Sequence, residues 1–140
     1  MKISIVIVNW NRPYDTIEAV EYLFKQTYPN LEIIVWDNAS SDNSKEILSS
    51  RFSLTPEIRL LFSSINYGPA GGRNRAFAQA NGDIFVSNDS DTIIVNPNAL
   101  ELVVKKFSAD KSIGVLSFEA RRPDGHLMWP YSRPAEMWME

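Results

Sequence analysis

Apolar, β-branched runs alternate along this chain with segments whose apolar residues recur at helical spacing. Residues 3 to 8 are nearly all apolar, the pattern of a strand covered on both faces. Asn9-Trp10-Asn11-Arg12-Pro13 breaks it, and a helix is expected next. Its buried stripe would be Ile17, Val20, Leu23 and Phe24, with Glu18 and Glu21 facing water. Gln26 to Asn30 reads as a turn. A second strand is predicted over Leu31–Trp36, ended by Asp37-Asn38-Ala39-Ser40. Ser41 or Asp42 would cap the following helix, which carries Ile47 and Leu48. A third strand is expected at Ile58–Phe62. The Gly-rich stretch Asn66 to Gly72 then leads into a helix over Arg73–Ala80, closed by Asn81-Gly82 with Gly82 as a left-handed stop. A fourth strand follows at Ile84–Ser87, a helix from Asn98 to Phe107 with Pro97 near its start, and a fifth strand at Ile113–Phe118. This order predicts an α/β fold: a mostly parallel, Rossmann-like sheet with helices on both faces.

Length and composition narrow the picture. The 140 residues make one domain's worth of chain, and 44% hydrophobic with 22% charged residues is ordinary for a globular protein. A net charge of -3 gives no general attraction to nucleic acid or anionic membrane, so no nucleic-acid partner is expected. With no cysteine, a disulfide framework or thiolate metal site is excluded. No apolar run reaches the ~18 residues of a membrane span, and the start lacks the features of a signal peptide. A cytoplasmic location is expected, with peripheral membrane association allowed. The tail from Arg121 to Glu140 stands apart: it is rich in Pro (123, 130, 134), Trp (129, 138) and Met (128, 137, 139), with no clear period. It reads as a packing loop or as part of an element completed elsewhere.

The candidate chemistry falls at the carboxyl ends of the predicted strands, where an open α/β sheet binds ligands. Those ends carry Asn9 to Arg12, Asp37-Asn38, Asn66 to Arg73, and Asp89-Ser90-Asp91. Asp89 and Asp91 are alternate residues after an apolar strand, so both can face one crevice. Two carboxylates there form a hard oxygen site suited to Mg²⁺ or Mn²⁺, and through the metal to a diphosphate. A polar turn that bonds its own backbone is the other reading. Asp37 fits a base N–H or ribose hydroxyl; taken alone, a turn aspartate or a cap for the following helix is the favoured reading. Gly71-Gly72 allow close backbone approach to a ligand, and Arg73 suits a phosphate or base carbonyl. Arg75 reads as solvent-exposed, and Asn74 as a donor within the site or a cap. His126, the only histidine, lies in a turn-like Pro123-Asp124-Gly125-His126 with no matching base–nucleophile pair, so an exposed or structural role is expected.

Taken together, Val8 to Arg12, Val35 to Asp42, Asn66 to Asn74, Asn81-Gly82-Asp83, Asp89-Ser90-Asp91-Thr92 and Asn96 to Leu100 resemble the family 2 glycosyltransferases in order and spacing. The resemblance covers nearly the whole chain. It implies the GT-A fold, with residues 1–118 as a nucleotide-sugar-binding domain and 119–140 as the start of an acceptor-side segment or loop. It implies that Asn9, Asn11, Arg12, Asp37, Asn38, Arg73 and Asp89 bind the nucleotide, with Asp37 at the base and Asp89 at the ribose. Asp91 would hold the divalent metal, Mn²⁺ or Mg²⁺. The implied reaction is inverting transfer of a sugar from a nucleoside-diphosphate donor to a hydroxyl of a saccharide or lipid-linked acceptor. The family's general base lies after the fifth strand; Glu119, Glu136 and Glu140 are in that region, but none sits in a matching motif, so the catalytic base is unassigned. A C-terminal truncation is expected on this ground, and a homo-oligomer could cover the exposed half-site.

Two other classes stay open: a nucleotidyltransferase of similar architecture, and a non-catalytic nucleotide-binding or interaction domain. The first would carry a Gly-rich basic loop after strand one, where this chain has Asn9 to Pro13. A dehydrogenase and a P-loop NTPase are disfavoured, because neither glycine fingerprint occurs.

Overall fold

The computed structural model describes residues 1–128. Within them the elements run β1 (Ile3–Asn9), α1 (Pro13–Leu23), β2 (Leu31–Asp37), α2 (Ser44–Phe52), β3 (Ile58–Phe62), α3 (Gly68–Phe77), β4 (Ile84–Asp89) and α4 (Ala99–Ala109). The strands form one sheet in the order β3-β2-β1-β4, and every pairing is parallel. The expected α/β architecture is therefore present.

Both faces of the sheet are covered, which is why β1 and β2 read as continuous apolar runs. On one face Ile3, Ile5, Ile7, Ile33 and Val35 pack against Val20 and Leu23 of α1, Leu48 and Phe52 of α2, and Leu100 and Val103 of α4. On the other, Val6 and Ile34 pack against Ala76 of α3. β4 lies at the sheet's edge and alternates instead: Ile84, Val86 and Asn88 are buried, while Phe85, Ser87 and Asp89 are exposed.

Several expectations are corrected. Phe24 lies just past α1 and is 46% exposed; Thr16 and Ala19 complete the buried stripe instead. α3 starts at Gly68 and ends at Phe77, so the Gly-rich stretch forms the first turns of the helix. Gly68 enters at φ +70 and Pro69 follows in the first turn, where a missing N–H is harmless. Gly82 is not left-handed; a Cβ there would come within 2.6 Å of Ser4 Oγ and 2.8 Å of Lys2 O, so glycine is needed for close packing on β1. Residues 113–118 form no strand, and Val115 is 86% exposed. An apolar run becomes a strand only when a neighbour satisfies its N–H and C=O groups.

The N-cap of α2 is Asn43, with no side-chain cap bond, and not Ser41 or Asp42 as expected; Asp42 Oδ1 accepts from the Ser44 N–H at 2.9 Å from one residue before the cap. α4 begins at Ala99 behind Pro97. At the amino ends of the strands Glu32 ties β1, β2 and the loop before β4 together. It accepts from Lys2 Nζ at 2.8 Å, from Ser4 Oγ and from the Asn81 N–H at 2.7 Å. Burial alone raises its carboxyl pKa, but these hydrogen bonds and the Lys2 charge outweigh it and hold the group at about 2.

Candidate functional site

Register brings the polar strand ends to one level. Asn9 pairs with Asp37 and Asp37 with Phe62, while Asp89 pairs with Val8 one residue earlier. The chain steps from β1 out to β2 and β3, then returns to place β4 on the far side of β1. The point where strand order reverses lies between β1 and β4, which is where an open α/β sheet places its ligand crevice.

On the β1–β2 side the side chains form a closed knot. Asp37 is 4% exposed and uses both oxygens internally. Its Oδ2 accepts from Asn9 Nδ2 at 2.7 Å and Ser40 Oγ at 2.6 Å, and its Oδ1 from the Ser40 N–H at 3.0 Å. Asn9 is fully buried, and its Oδ1 accepts from Thr16 Oγ1 at 2.8 Å. Asn11 adopts φ +56, and its Oδ1 accepts from the Ser41 N–H at 2.8 Å. These residues fix the shape of the floor. Ser40 joins the knot as a turn residue bonded to Asp37, and Thr16, whose partner Asn9 lies on another element, carries no signal in the sequence.

Asn38 performs the same service one strand over. It is 2% exposed; its Nδ2 donates to Asn66 Oδ1 at 2.9 Å and Gly68 O at 3.0 Å, and its Oδ1 accepts from the Tyr67 N–H at 3.2 Å. A Cβ on Gly72 would come within 3.1 Å of this amide, and one on Gly71 within 2.8 Å of Tyr67. The space left by both glycines is thus taken by the protein's own groups, where sequence suggested a ligand.

The open side of the crevice carries the charge. Beyond β4 the chain turns, closed by the Thr92 N–H on Asp89 O at 3.1 Å. Asn88, buried, donates its Nδ2 to Asp89 O and to Thr92 O, pinning both ends of this turn. Asp89 and Asp91 stay more than half exposed. Each meets an arginine from another element: Arg73 Nη2 of α3 lies 2.6 Å from Asp89 Oδ1, and Arg12 Nη1 lies 3.0 Å from Asp91 Oδ2. Of the predicted residues, Arg12, Arg73, Asp89 and Asp91 therefore present charge to the crevice. Asn9, Asn11, Asp37 and Asn38 are committed to bonds within the fold.

The comparisons bear directly on this geometry. Residues 4–140 match the family described as glycosyl transferase family 2. The chain belongs to this family. It is 36% identical over 115 residues to the glycosyltransferase GlyG of Streptococcus pneumoniae serotype 4, covering 80% of this chain and 38% of that protein. It is 34% identical over 106 residues to the Escherichia coli UDP-Glc:α-D-GlcNAc-diphosphoundecaprenol β-1,3-glucosyltransferase WfgD, covering 73% of this chain and 39% of that one. Among solved structures, a Pyrobaculum calidifontis mannosyltransferase in complex with GDP-Man and Mn²⁺ superposes with a TM-score of 0.74 at 26% identity, over 81% of this chain and 34% of that chain. TarS of S. aureus in complex with UDP-GlcNAc gives 0.69 at 27% identity, over 78% and 32%. The chain spans less than two fifths of the length of each of these proteins. The fold is the GT-A fold of family 2.

A divalent metal suits the donor set of this family 2 site. Mg²⁺ and Mn²⁺ take hard oxygen ligands, and Mg²⁺ is commonly held by one or two carboxylates plus substrate phosphates. Asp91 and Asp89 supply exposed carboxylates at the strand end. Among the described residues no three His, Cys, Asp or Glu side chains cluster to hold a metal alone, so remaining ligands would come from water and diphosphate. Glu119 is exposed and paired with Arg121. His126 is exposed beside Asp124 in a turn at 3.2 Å, as expected. Glu136, Glu140 and the tail's Trp129, Pro130, Pro134, Met137, Trp138 and Met139 lie outside the described residues. No helix among the described residues is long and apolar enough to cross a membrane.

Proposed function

We propose that this chain is the donor-binding part of an inverting glycosyltransferase, transferring a sugar from a nucleoside-diphosphate sugar to a hydroxyl of a saccharide or lipid-linked acceptor in the cytoplasm. The observation that carries this reading is the meeting of Arg12, Arg73, Asp89 and Asp91 at the reversal of strand order in a family 2 fold. Structural neighbours solved with GDP-Man and with UDP-GlcNAc support it. Residues 1–118 would carry the donor, and 119–140 would begin the acceptor side.

Each group has a chemical task. Asp89 accepts from ribose hydroxyls, and Asp91 would hold the metal. Arg12 and Arg73 take the phosphate oxygens through planar, paired N–H donors. Asn9, Asn11, Asp37 and Asn38 line the nucleotide pocket chiefly by holding backbone in place, with Asp37 at the level of the base. A bound Mn²⁺ or Mg²⁺ would supply Lewis-acid stabilisation of the charge that develops on the leaving diphosphate. Arginines beside it favour the leaving diphosphate, which gains a negative charge as its bond to the anomeric carbon breaks, over the intact donor.

The test is turnover. The chain is incubated with UDP-Glc, UDP-GlcNAc and GDP-Man in Mn²⁺, and release of nucleoside diphosphate is measured. Release in excess of a metal-free control supports a transferase. Metal-dependent binding without release favours the second reading, a nucleotide-binding domain without turnover. That reading is favoured by one observation: among the described residues Glu119, the carboxylate after 113–118, is paired with Arg121 in exposed chain.

A further inference from the structure

Arg12 sits where β1 hands over to α1, as the N-cap residue of the helix. Its Nη1 reaches across the crevice to Asp91 Oδ2 at 3.0 Å and back to Asp15 Oδ2 at 3.4 Å. We propose that Arg12 is an internal stand-in for the metal: it occupies Asp91 while the site holds no donor, so that entry of a divalent cation together with a diphosphate is favoured over entry of the cation alone. The proposal rests on the donor-site reading above and goes beyond it, to the order in which ligands bind.

Three observations support it. Among the described residues Asp91 has one charged partner, and that partner comes from the end of β1, across the point where strand order reverses. Asp89 is likewise held, by Arg73 at 2.6 Å, so both acids of the strand-end pair are neutralised before any ligand arrives. Asp15 offers Arg12 a second carboxylate on its own helix, one turn in, so the guanidinium can leave Asp91 without losing an anionic neighbour.

The consequence follows from charge. A bare dication approaching Asp91 must displace one guanidinium and lie near a second, with no anion to offset either. A cation already bound to a diphosphate brings negative oxygens that the displaced Arg12 can take up. Arg12 therefore discourages the metal alone and favours the metal–diphosphate complex. Because the ion pair is more than half exposed on both sides, the effect is modest, about three- to fivefold in affinity. The same exposure means that removing Arg12 leaves the core untouched.

The experiment measures Mn²⁺ affinity directly, from the electron-spin-resonance signal of free Mn²⁺, on the 140-residue chain without nucleotide and with saturating UDP. Wild type is compared with Arg12→Gln, Asp91→Asn, the double variant, and Arg75→Gln, whose guanidinium stacks on Tyr67. Without UDP, Arg12→Gln binds Mn²⁺ about three- to fivefold tighter than wild type. That gain is absent from the double variant and from Arg75→Gln. With UDP the order reverses, since Arg12 is then missing as a phosphate partner. Equal or weaker Mn²⁺ binding by Arg12→Gln without UDP overturns the proposal, as does an equal gain in Arg75→Gln. Should Arg12→Gln gain Mn²⁺ affinity while no protein binds UDP, the exclusion by Arg12 stands and the donor-site reading fails. Should neither Mn²⁺ nor UDP bind to any of them, both fail.

Discussion

Arg12 and Asp91 are 79 residues apart in the chain and 3.0 Å apart in the fold. Their contact spans the gap between β1 and β4, where strand order reverses. It joins the first strand end to the last, and with Arg73–Asp89 beside it defines the charged mouth of the crevice.

Arg73 is the less exposed of the two arginines, with 33% of its side chain accessible, and α3 holds it in place. Replacing it with Ala should weaken nucleoside-diphosphate binding about ten- to a hundredfold, the loss of a hydrogen bond to a charged group. Lysine should recover only part of this, because it lacks the planar fork. Calorimetric titration with UDP in Mn²⁺ reads both effects, and unchanged affinity in Arg73→Ala would remove this residue from the site.

Asp37 behaves differently, because its carboxylate is spent on the fold. Asp37→Ala strips one acceptor from Asn9 Nδ2, which keeps Ser40 Oγ at 3.1 Å, and removes the acceptors of the half-buried Ser40 N–H and Oγ. The expected cost is about 1–3 kcal/mol per stranded group. A lowered melting temperature in ligand-free protein is the signature; a variant that melts like wild type but loses UDP would show that Asp37 works at the ligand alone.

Gly82 gives a purely steric prediction. A Cβ there would meet Ser4 N at 2.7 Å and Lys2 O at 2.8 Å, both backbone atoms that cannot swing aside. Gly82→Ala should destabilise by about 1–3 kcal/mol through forced backbone shifts. Chemical denaturation of the two proteins measures this. Gly114, which has nothing within 4 Å of its Cβ position, is the matching control and should tolerate Ala.

Glu32 sets an acid limit. Its folded pKa is depressed to about 2 from 4.5. The unfolded chain therefore binds its proton first as pH falls. The stabilisation from Glu32 is complete above the unfolded value of 4.5, and is lost progressively as pH drops from there toward 2. Melting temperature followed from pH 6 to pH 3 should fall in wild type and fall less steeply in Glu32→Gln, which has no charge to lose. Parallel slopes would assign the acid response to other carboxylates.

Sequence made some of these features readable and hid others for physical reasons. β1 and β2 were plain because burial on both faces leaves an unbroken apolar run. Asp89 and Asp91 were plain because they interrupt such a run at its end. The start of α3 was hidden because Gly68 to Gly72 reads as a breaker, although Pro69 after a left-handed glycine is itself a helix-start signal. The run at 113–118 looked like β1 yet forms no strand, since pairing is a property of neighbours and not of local composition. The knot of Asn9, Thr16, Asp37 and Ser40 was hidden for the same reason: Asn9 meets Asp37 only through parallel register 28 residues away. That register ties Asn9 and Asp37 to each other at the strand ends.

The most direct test of the donor site is calorimetric titration of UDP, with GDP and dTDP for comparison, into wild type and Asp91→Ala, each with and without Mn²⁺. The account predicts that wild type binds at least one of these nucleotides only when Mn²⁺ is present, and that Asp91→Ala loses the metal-dependent part. Metal-dependent binding that survives intact in Asp91→Ala, or no binding of any nucleotide to wild type, would contradict it.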